Sequence, residues 1–213
     1  MLVTGTLLGV FQIYYLLAFG EPIGALNKPT SEGLMEKIYT LLLLLSVFIL
    51  IISITRIKGG LYSSIVRKKM ILSIIVISVI LVLIIGEEIS WGQRIFNWDS
   101  TGVFVEYNYQ NETNVHNFFN PLMIYIYPTI GLGSFMVLFF IWLFPRKREN
   151  YFFNLFFPHP SLFFLVFIMA SSSFLGGGGE TFEQLFVIFV LLYSFRIFMC
   201  LRFPNIDLLS QET

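Results

Sequence analysis

Two adjacent carboxylates, Glu87 and Glu88, end a long apolar run and are the first residues along the chain whose types and spacing suggest chemistry. If the helix continues beyond them, Glu88 is turned about 100° away from a face that carries Glu87, Ser90, Trp91 and Arg94. Crowded carboxylates beside a cation shift one another's proton affinity, and such a carboxyl can act as base, acid or metal ligand. The alternative is an interfacial cap, in which an ion pair between Arg94 and a glutamate anchors the helix end.

A second polar stretch, residues 107–121, contains Glu112 and one of the two histidines, His116. If its second half is helical, Glu112, His116 and Asn120 stack at intervals of four residues. A carboxylate and an imidazole at this spacing can share a proton or a metal ion. General acid–base chemistry, metal ligation and a structural histidine that donates to a loop carbonyl all stay open for His116. The cofactor is unknown, and the candidate ligands for a divalent metal are Glu88, Glu112 and His116.

A third polar stretch follows the four glycines at residues 176–179 and opens the last apolar segment with Glu180 and Glu183. Carboxylates in a first helical turn interact favourably with the positive end of the helix dipole, which explains one glutamate. It does not explain Glu183, because this side chain lies a turn inside an apolar segment. The three stretches can form one pocket, in which the catalytic candidates are Glu87, Glu88, Arg94, Glu112, His116 and Glu183. The candidates for substrate binding are Trp91, Gln93, Asn114, Asn117 and Glu180.

Apolar helices must position these residues. Of the 213 residues, 56% are hydrophobic and only 12% are charged, against roughly 25% charged in an average soluble domain. This composition excludes soluble enzyme folds and basic nucleic-acid binders, so we expect a lipid bilayer around most of the chain and no nucleic-acid partner. The sequence predicts an all-α, polytopic integral membrane protein, a single transmembrane domain over residues 1–213 with one extracytoplasmic loop segment at about 92–121. About six transmembrane helices are predicted, at about 2–20, 38–55, 70–89, 122–144, 161–175 and 182–203.

The orientation of these spans follows from the basic residues, which collect in cytoplasmic loops. With the N-terminus inside, most of the 13 Lys and Arg residues fall in cytoplasmic segments, and most of the 13 Asp and Glu residues fall on the opposite side. Both termini are therefore predicted to be cytoplasmic in a multi-pass protein of the cell membrane, specifically an inner membrane. The three polar stretches then lie on the extracytoplasmic side.

Two of the stretches form a paired pattern, Glu87-Glu88-Ile89-Ser90-Trp91-Gly92-Gln93-Arg94 and Asn111-Glu112-Thr113-Asn114-Val115-His116-Asn117. In this pattern the chain resembles an uncharacterised group of bacterial polytopic membrane proteins. The resemblance covers about 30 residues and implies that the two stretches belong to one site. Glutamate-type intramembrane proteases also resemble the chain in their paired glutamates, but they require arginine four residues after the second one, where this chain has Gly92.

Two functions fit these residues. The first is a membrane-embedded enzyme that acts from the extracytoplasmic face on a lipid-linked or amphiphilic substrate, with Arg94 as a clamp for a phosphate or carboxylate. The second is a non-enzymatic subunit of a membrane complex or a transporter, in which the carboxylates handle protons or cations or dock other membrane subunits. The only cysteine, Cys200, permits no disulfide within the chain.

Overall fold

The computed structural model describes residues 2–19, 34–143, 151–175 and 178–203. Within these ranges the regular elements are all helical, as the predicted all-α class requires. Five helices of this part are long and apolar enough to cross a membrane: Lys37–Ile54, Ser64–Glu88, His116–Leu143, Tyr151–Ser172 and Gly179–Arg202. These helices indicate a multi-pass membrane protein. The first predicted span forms the helix Leu2–Phe19 but is not one of the five, so the sixth span and the orientation stay predictions.

The α-helices of the described ranges are α1 (Leu2–Phe19), α2 (Leu34–Ile54), α3 (Ser64–Glu88), α4 (Gln93–Phe96), α5 (Val103–Tyr107), α6 (Met123–Leu143), α7 (Tyr151–Phe156), α8 (Phe163–Ser172) and α9 (Gly178–Arg202). Short 3-10 helices lie at Ser90–Gly92, His116–Leu122 and Pro160–Leu162. Residues 89–122, which join α3 to α6 and include α4 and α5, are called the α3–α6 connection below.

Helix α9 lies at the centre of the bundle, where it packs against α1, α2, α6, α7 and α8. Its apolar face is buried at Leu185 and Ile197, while Leu50 of α2 and Ile74 of α3 fill the neighbouring core. Helix α6 approaches α8 closely at Gly131, where a Cβ atom would lie only 3.0 Å from the Ser173 hydroxyl. Helix α2 contacts both α3 and α9, so the span that ends in Glu87 and Glu88 and the last span are held in one bundle.

Helices α7 and α8 form one membrane-length segment that is broken at residues 157–159, beside Pro158 and Pro160. A broken helix in a membrane leaves backbone carbonyls without partners, and these must be satisfied by other groups. Side chains of α6 and α9 satisfy the carbonyls of residues 154–158. Arg196 donates to Asn154 (2.8 Å), Leu155 (2.9 Å) and Phe157 (3.2 Å), Tyr193 to Phe156 (2.5 Å) and Trp142 to Pro158 (2.8 Å).

Candidate functional site

Glu87, in the last turn of α3, joins that helix to the far end of the α3–α6 connection. Its Oε1 accepts a hydrogen bond from the Trp91 indole at 2.8 Å. Its Oε2 accepts hydrogen bonds from the backbone N–H groups of Val115 (2.6 Å) and His116 (3.1 Å). These two donors belong to the start of the 3-10 helix His116–Leu122, so the carboxylate caps that helix and fixes it to α3.

Glu112 forms the centre of a second set of hydrogen bonds. Its Oε2 accepts from the Ser90 hydroxyl (2.8 Å), the Asn114 amide (2.8 Å) and the Asn117 amide (3.2 Å). The three donors are all buried. Because hydrogen bonds to an ionised acceptor are stronger than neutral ones, this carboxylate is the main polar anchor inside the connection.

Gln93 extends the contact between the two paired stretches. Its Oε1 accepts from the Thr113 N–H at 2.6 Å, and its Nε2 donates to Ser100 at 2.9 Å. Along the first stretch, Glu87, Ser90 and Gln93 therefore meet residues 115–116, 112 and 113 of the second. The pairing runs broadly in opposite directions and places both stretches in one polar network.

Two of the predicted local arrangements are wrong. Helix α3 ends at Glu88, because Ser90, Trp91 and Gly92 adopt left-handed φ angles of 49°, 54° and 87° that an α-helix cannot contain. Arg94 therefore does not continue a face of α3. It lies in α4, and its side chain is outside the part that the structure describes.

The predicted stack of Glu112, His116 and Asn120 is also wrong. Glu112 lies outside any helix, and the 3-10 helix begins only at His116. Asn108 causes this irregular path, since its Oδ1 accepts from the N–H groups of Gln110 (3.0 Å) and Glu112 (3.2 Å). An asparagine that bonds the backbone two and four residues ahead favours a turn over a helix.

The left-handed turn at residues 90–92, between α3 and α4, has a strained backbone conformation. Ser90 and Trp91 are not glycine, and each such residue costs about 1–2 kcal/mol in this conformation. The strain is offset by the hydrogen bonds of Ser90 and by the Trp91 ring, which packs over Gly86. A Cβ atom at Gly86 would lie 2.8 Å from that ring, so only glycine fits there.

His116 faces Glu87 at the edge of the network. Its Nδ1 lies 3.6 Å from Glu87 Oε2, which is within ion-pair range but too long for a hydrogen bond. The imidazole is 39% exposed and the Glu87 side chain 25% exposed. A carboxylate beside Nδ1 orients an imidazole so that its other nitrogen can exchange protons with a second molecule.

The third predicted stretch meets a partner that the sequence does not indicate. Glu183 accepts a short hydrogen bond from the Tyr127 hydroxyl of α6. The carboxylates of Glu88, Glu180 and Glu183 all lie close enough to that hydroxyl to act on it electrostatically. Glu87 belongs to the first network and Glu88 to this acidic group, so the two groups adjoin at the end of α3.

The candidate metal ligands are divided between these groups. Glu112 is engaged by Ser90 and the two asparagines, His116 lies beside Glu87, and Glu88 lies near Tyr127. Among the side chains that the structure describes, no three His, Cys, Asp or Glu residues are grouped to hold a metal ion. A divalent metal therefore gains no support from these residues.

The sequence indicated most of the residues of the network but not their roles. Trp91, Gln93, Asn114 and Asn117, predicted to contact substrate, all form hydrogen bonds within the network. Ser100, Asn108 and Tyr127 were not predicted. Asn108 alone carried a signal, because asparagine in a turn-rich stretch commonly bonds its own backbone.

No protein-family model matches the chain, and no curated protein or solved structure is significantly similar to it. The geometry of the polar network is therefore the ground for a functional proposal.

Proposed function

We propose that the chain is a multi-pass protein of the cell membrane, specifically an inner membrane, with both termini in the cytoplasm. Its proposed activity is acid–base catalysis at the extracytoplasmic face, on the polar headgroup of a lipid-linked or amphiphilic substrate. The observation that carries this proposal is the pair formed by Glu87 and His116 at the ends of two membrane-length helices. His116 is the proton carrier, and Glu87 is the carboxylate that orients it.

The surroundings of Glu87 support this division of roles. Three donors engage both oxygens of its carboxylate, which keeps the group ionised and fixed in place. A fixed carboxylate beside Nδ1 favours a proton on that nitrogen, so the other ring nitrogen can take a proton from a substrate or return it. The exposure of His116 gives a headgroup access to the ring, whereas Ser90 is buried and unsuited to act as a nucleophile.

The remaining predicted residues take supporting roles in this proposal. Glu112 is a positioning residue, because its carboxylate holds the stretch that carries His116. Arg94 retains its predicted role as a clamp for a phosphate or carboxylate on the substrate. Trp91 and Gln93 fix the turn after α3.

Replacing His116 with alanine is expected to abolish the activity while the protein still reaches the membrane. Loss of a general acid or base typically lowers turnover by about 10²- to 10⁴-fold. To test this, the gene would be deleted in the native host and replaced by the wild-type or the His116→Ala gene. Mass spectrometry would then compare the lipids and lipid-linked compounds extracted from these strains. We expect one species to accumulate in the deletion strain and with His116→Ala, and to disappear with the wild-type gene.

The second histidine supplies the matched control for this experiment. His159 lies at the α7–α8 break, where its Nδ1 accepts a hydrogen bond from the Ser161 N–H at 3.1 Å. His159→Ala is expected to restore the wild-type profile. A wild-type profile with His116→Ala, at equal abundance in the membrane, would refute the proposed role of His116.

The acidic group around Tyr127 favours a second candidate, the handling of protons or cations by a transporter or by a subunit of a membrane complex. Its specific support is the hydrogen bond between Tyr127 and Glu183, with Glu88 and Glu180 close enough to act electrostatically on Tyr127. Intramembrane carboxylates of this kind commonly mark ion pathways.

For this second candidate, Glu183→Gln is expected to abolish dissipation of a proton or cation gradient in vesicles that contain the purified protein. Glu106→Gln is the control, because Glu106 is exposed on α5, and its flux should equal that of the wild type. Wild-type vesicles that hold the gradient as long as empty ones would exclude transport by the chain alone. Affinity purification in mild detergent then tests the subunit version, which requires stoichiometric partner proteins.

A further inference from the structure

The α3–α6 connection buries four polar side chains and exposes most of its large apolar ones, alongside exposed polar residues such as Asp99 and Glu106. The buried side chains are those of Ser90, Asn108, Asn114 and Asn117, which hydrogen-bond within the network. The large exposed side chains include Ile95, Phe96, Trp98, Val103, Val105 and Tyr107. A loop surrounded by water has the opposite arrangement, because exposed apolar side chains are unfavourable there.

Helix α4 and the turn after it hold the most exposed part of this surface. Ile95 is 65% exposed and Phe96 is 73% exposed. The Phe96 ring stacks on Trp98, with ring centroids 5.7 Å apart and planes 7° from parallel. The two stacked rings therefore form a flat aromatic surface on the outside of the connection, and Trp98 is itself 42% exposed.

Helix α5 also exposes apolar side chains, and one of its side chains, Phe104, is turned inward. Phe104 packs edge-on against Phe118 of the following 3-10 helix, with ring centroids 5.5 Å apart. Val103, Val105 and Tyr107 face outward. The inward ring fixes α5 to the 3-10 helix His116–Leu122, so the outer side chains of α5 are held on the same connection as those of α4.

This apolar surface is continuous with the helices that indicate a membrane protein. The connection begins at the residue after α3, and its last seven residues, His116–Leu122, open the membrane-length helix His116–Leu143, so it adjoins a candidate span at each end. Helix α6 continues the exposed apolar surface with Ile124 and Tyr125. Tryptophan and tyrosine rings are enriched at this depth, where one end of the ring is apolar and the other is wet.

We propose that α4 and α5 lie in the bilayer interface and bind phospholipid in the leaflet on their side of the membrane. Ile95, Phe96 and Val103 contact acyl chains, while Trp98 and Tyr107 lie among the headgroups. The connection is then an interfacial cap, a segment that lies partly in the bilayer interface and covers the ends of α3 and α6, rather than a loop in water. This assignment concerns where the cap lies and is independent of the chemistry proposed for His116.

A fluorescent label at position 95 tests the assignment in the full-length protein. The only native cysteine is removed by Cys200→Ser, and Ile95→Cys is labelled with a nitrobenzoxadiazole dye in phosphatidylcholine vesicles. We expect lipids brominated on the acyl chain near the headgroup to quench this label several-fold more than a label at Lys58→Cys, an exposed loop position. Aqueous iodide should show the reverse order.

Two outcomes would overturn the assignment. Strong quenching by iodide without quenching by brominated lipid would place the surface in water. Protection from both quenchers would mean that a protein, either a partner or a second copy of this chain, covers it. If the labelled variants do not fold, Trp98 serves as a native reporter after Trp91→Phe and Trp142→Phe. We then expect brominated lipid to quench Trp98 more strongly than iodide does.

Discussion

Replacing Arg196 with methionine is expected to lower the free energy of unfolding by about 3 kcal/mol, with loss of the α7–α8 junction. The guanidinium donates to the carbonyls of Asn154, Leu155 and Phe157, and the side chain is only 3% exposed. Methionine fills much of the same space but donates nothing, so three carbonyls at the break, those of buried Asn154 and Leu155 and of half-buried Phe157, lose this donor. Each unsatisfied group of this kind carries a penalty of about 1–3 kcal/mol.

Arg202→Met is the matched control for this change. Arg202 ends α9, is exposed and lies over the Phe203 ring at 5.4 Å, so its removal should alter stability by less than about 0.5 kcal/mol. Thermal unfolding in detergent measures both variants, and Arg196→Lys should fall between them because an ammonium cannot reach all three carbonyls. Equal midpoints for Arg196→Met and Arg202→Met would show that the break does not depend on Arg196.

Replacing Glu112 with leucine is expected to unfold the α3–α6 connection locally while the membrane-length helices stay intact. The change leaves the buried donors Ser90, Asn114 and Asn117 without their shared acceptor, a loss of about 3 kcal/mol or more. Hydrogen exchange of residues 89–122 should rise strongly, because local opening is governed by the stability of each cooperative unit. Exchange in α2 and α9 should not change.

Glu106→Leu provides the comparison, since this carboxylate is exposed on α5 and its loss should leave hydrogen exchange as in the wild type. Glu112→Gln separates positioning from catalysis. If Glu112 acts only by positioning, the glutamine variant should retain part of both the protection and the activity. Loss of activity with wild-type protection would instead make Glu112 a catalytic residue, and unchanged exchange in Glu112→Leu would refute its role as an anchor.

The membrane-length helices were predictable because an apolar run of about 20 residues has few alternatives to a helix in lipid. The α7–α8 break was partly signalled by Pro158 and Pro160. The role of Arg196 at this break was not signalled. The sequence shows only an arginine near the end of an apolar segment, and the charge distribution assigns that arginine to the cytoplasmic side. Its actual partners are carbonyls about 40 residues earlier, a contact that only the packing of α9 against α7 creates.

The polar network contains several residues that the sequence singled out, but its geometry was not predictable from the sequence. Helical spacing placed Glu112 with His116, whereas the structure pairs His116 with Glu87 and Glu112 with Ser90. Two turns cause this difference: Asn108 keeps Glu112 out of a helix, and the left-handed residues Ser90 and Trp91 end α3. For Ser90 and Trp91 the sequence gives no signal, because neither is glycine or asparagine. That conformation is compensated by the hydrogen bonds of Ser90 to Glu112 and Asn114 and by the packing of the Trp91 ring over Gly86.

The pairing of the two polar stretches also determines when this part of the chain can fold. Glu87 leaves the ribosome before Val115 and His116, and its acceptors find those donors only after the chain has reached the start of α6. Until then Glu87 cannot form these hydrogen bonds. Closure of the network afterwards fixes the end of α3 to the start of the helix His116–Leu143. The hydrogen bonds of Glu87 therefore also set an order of assembly, since α3 and α6 can be joined at this end only after both polar stretches have been synthesised.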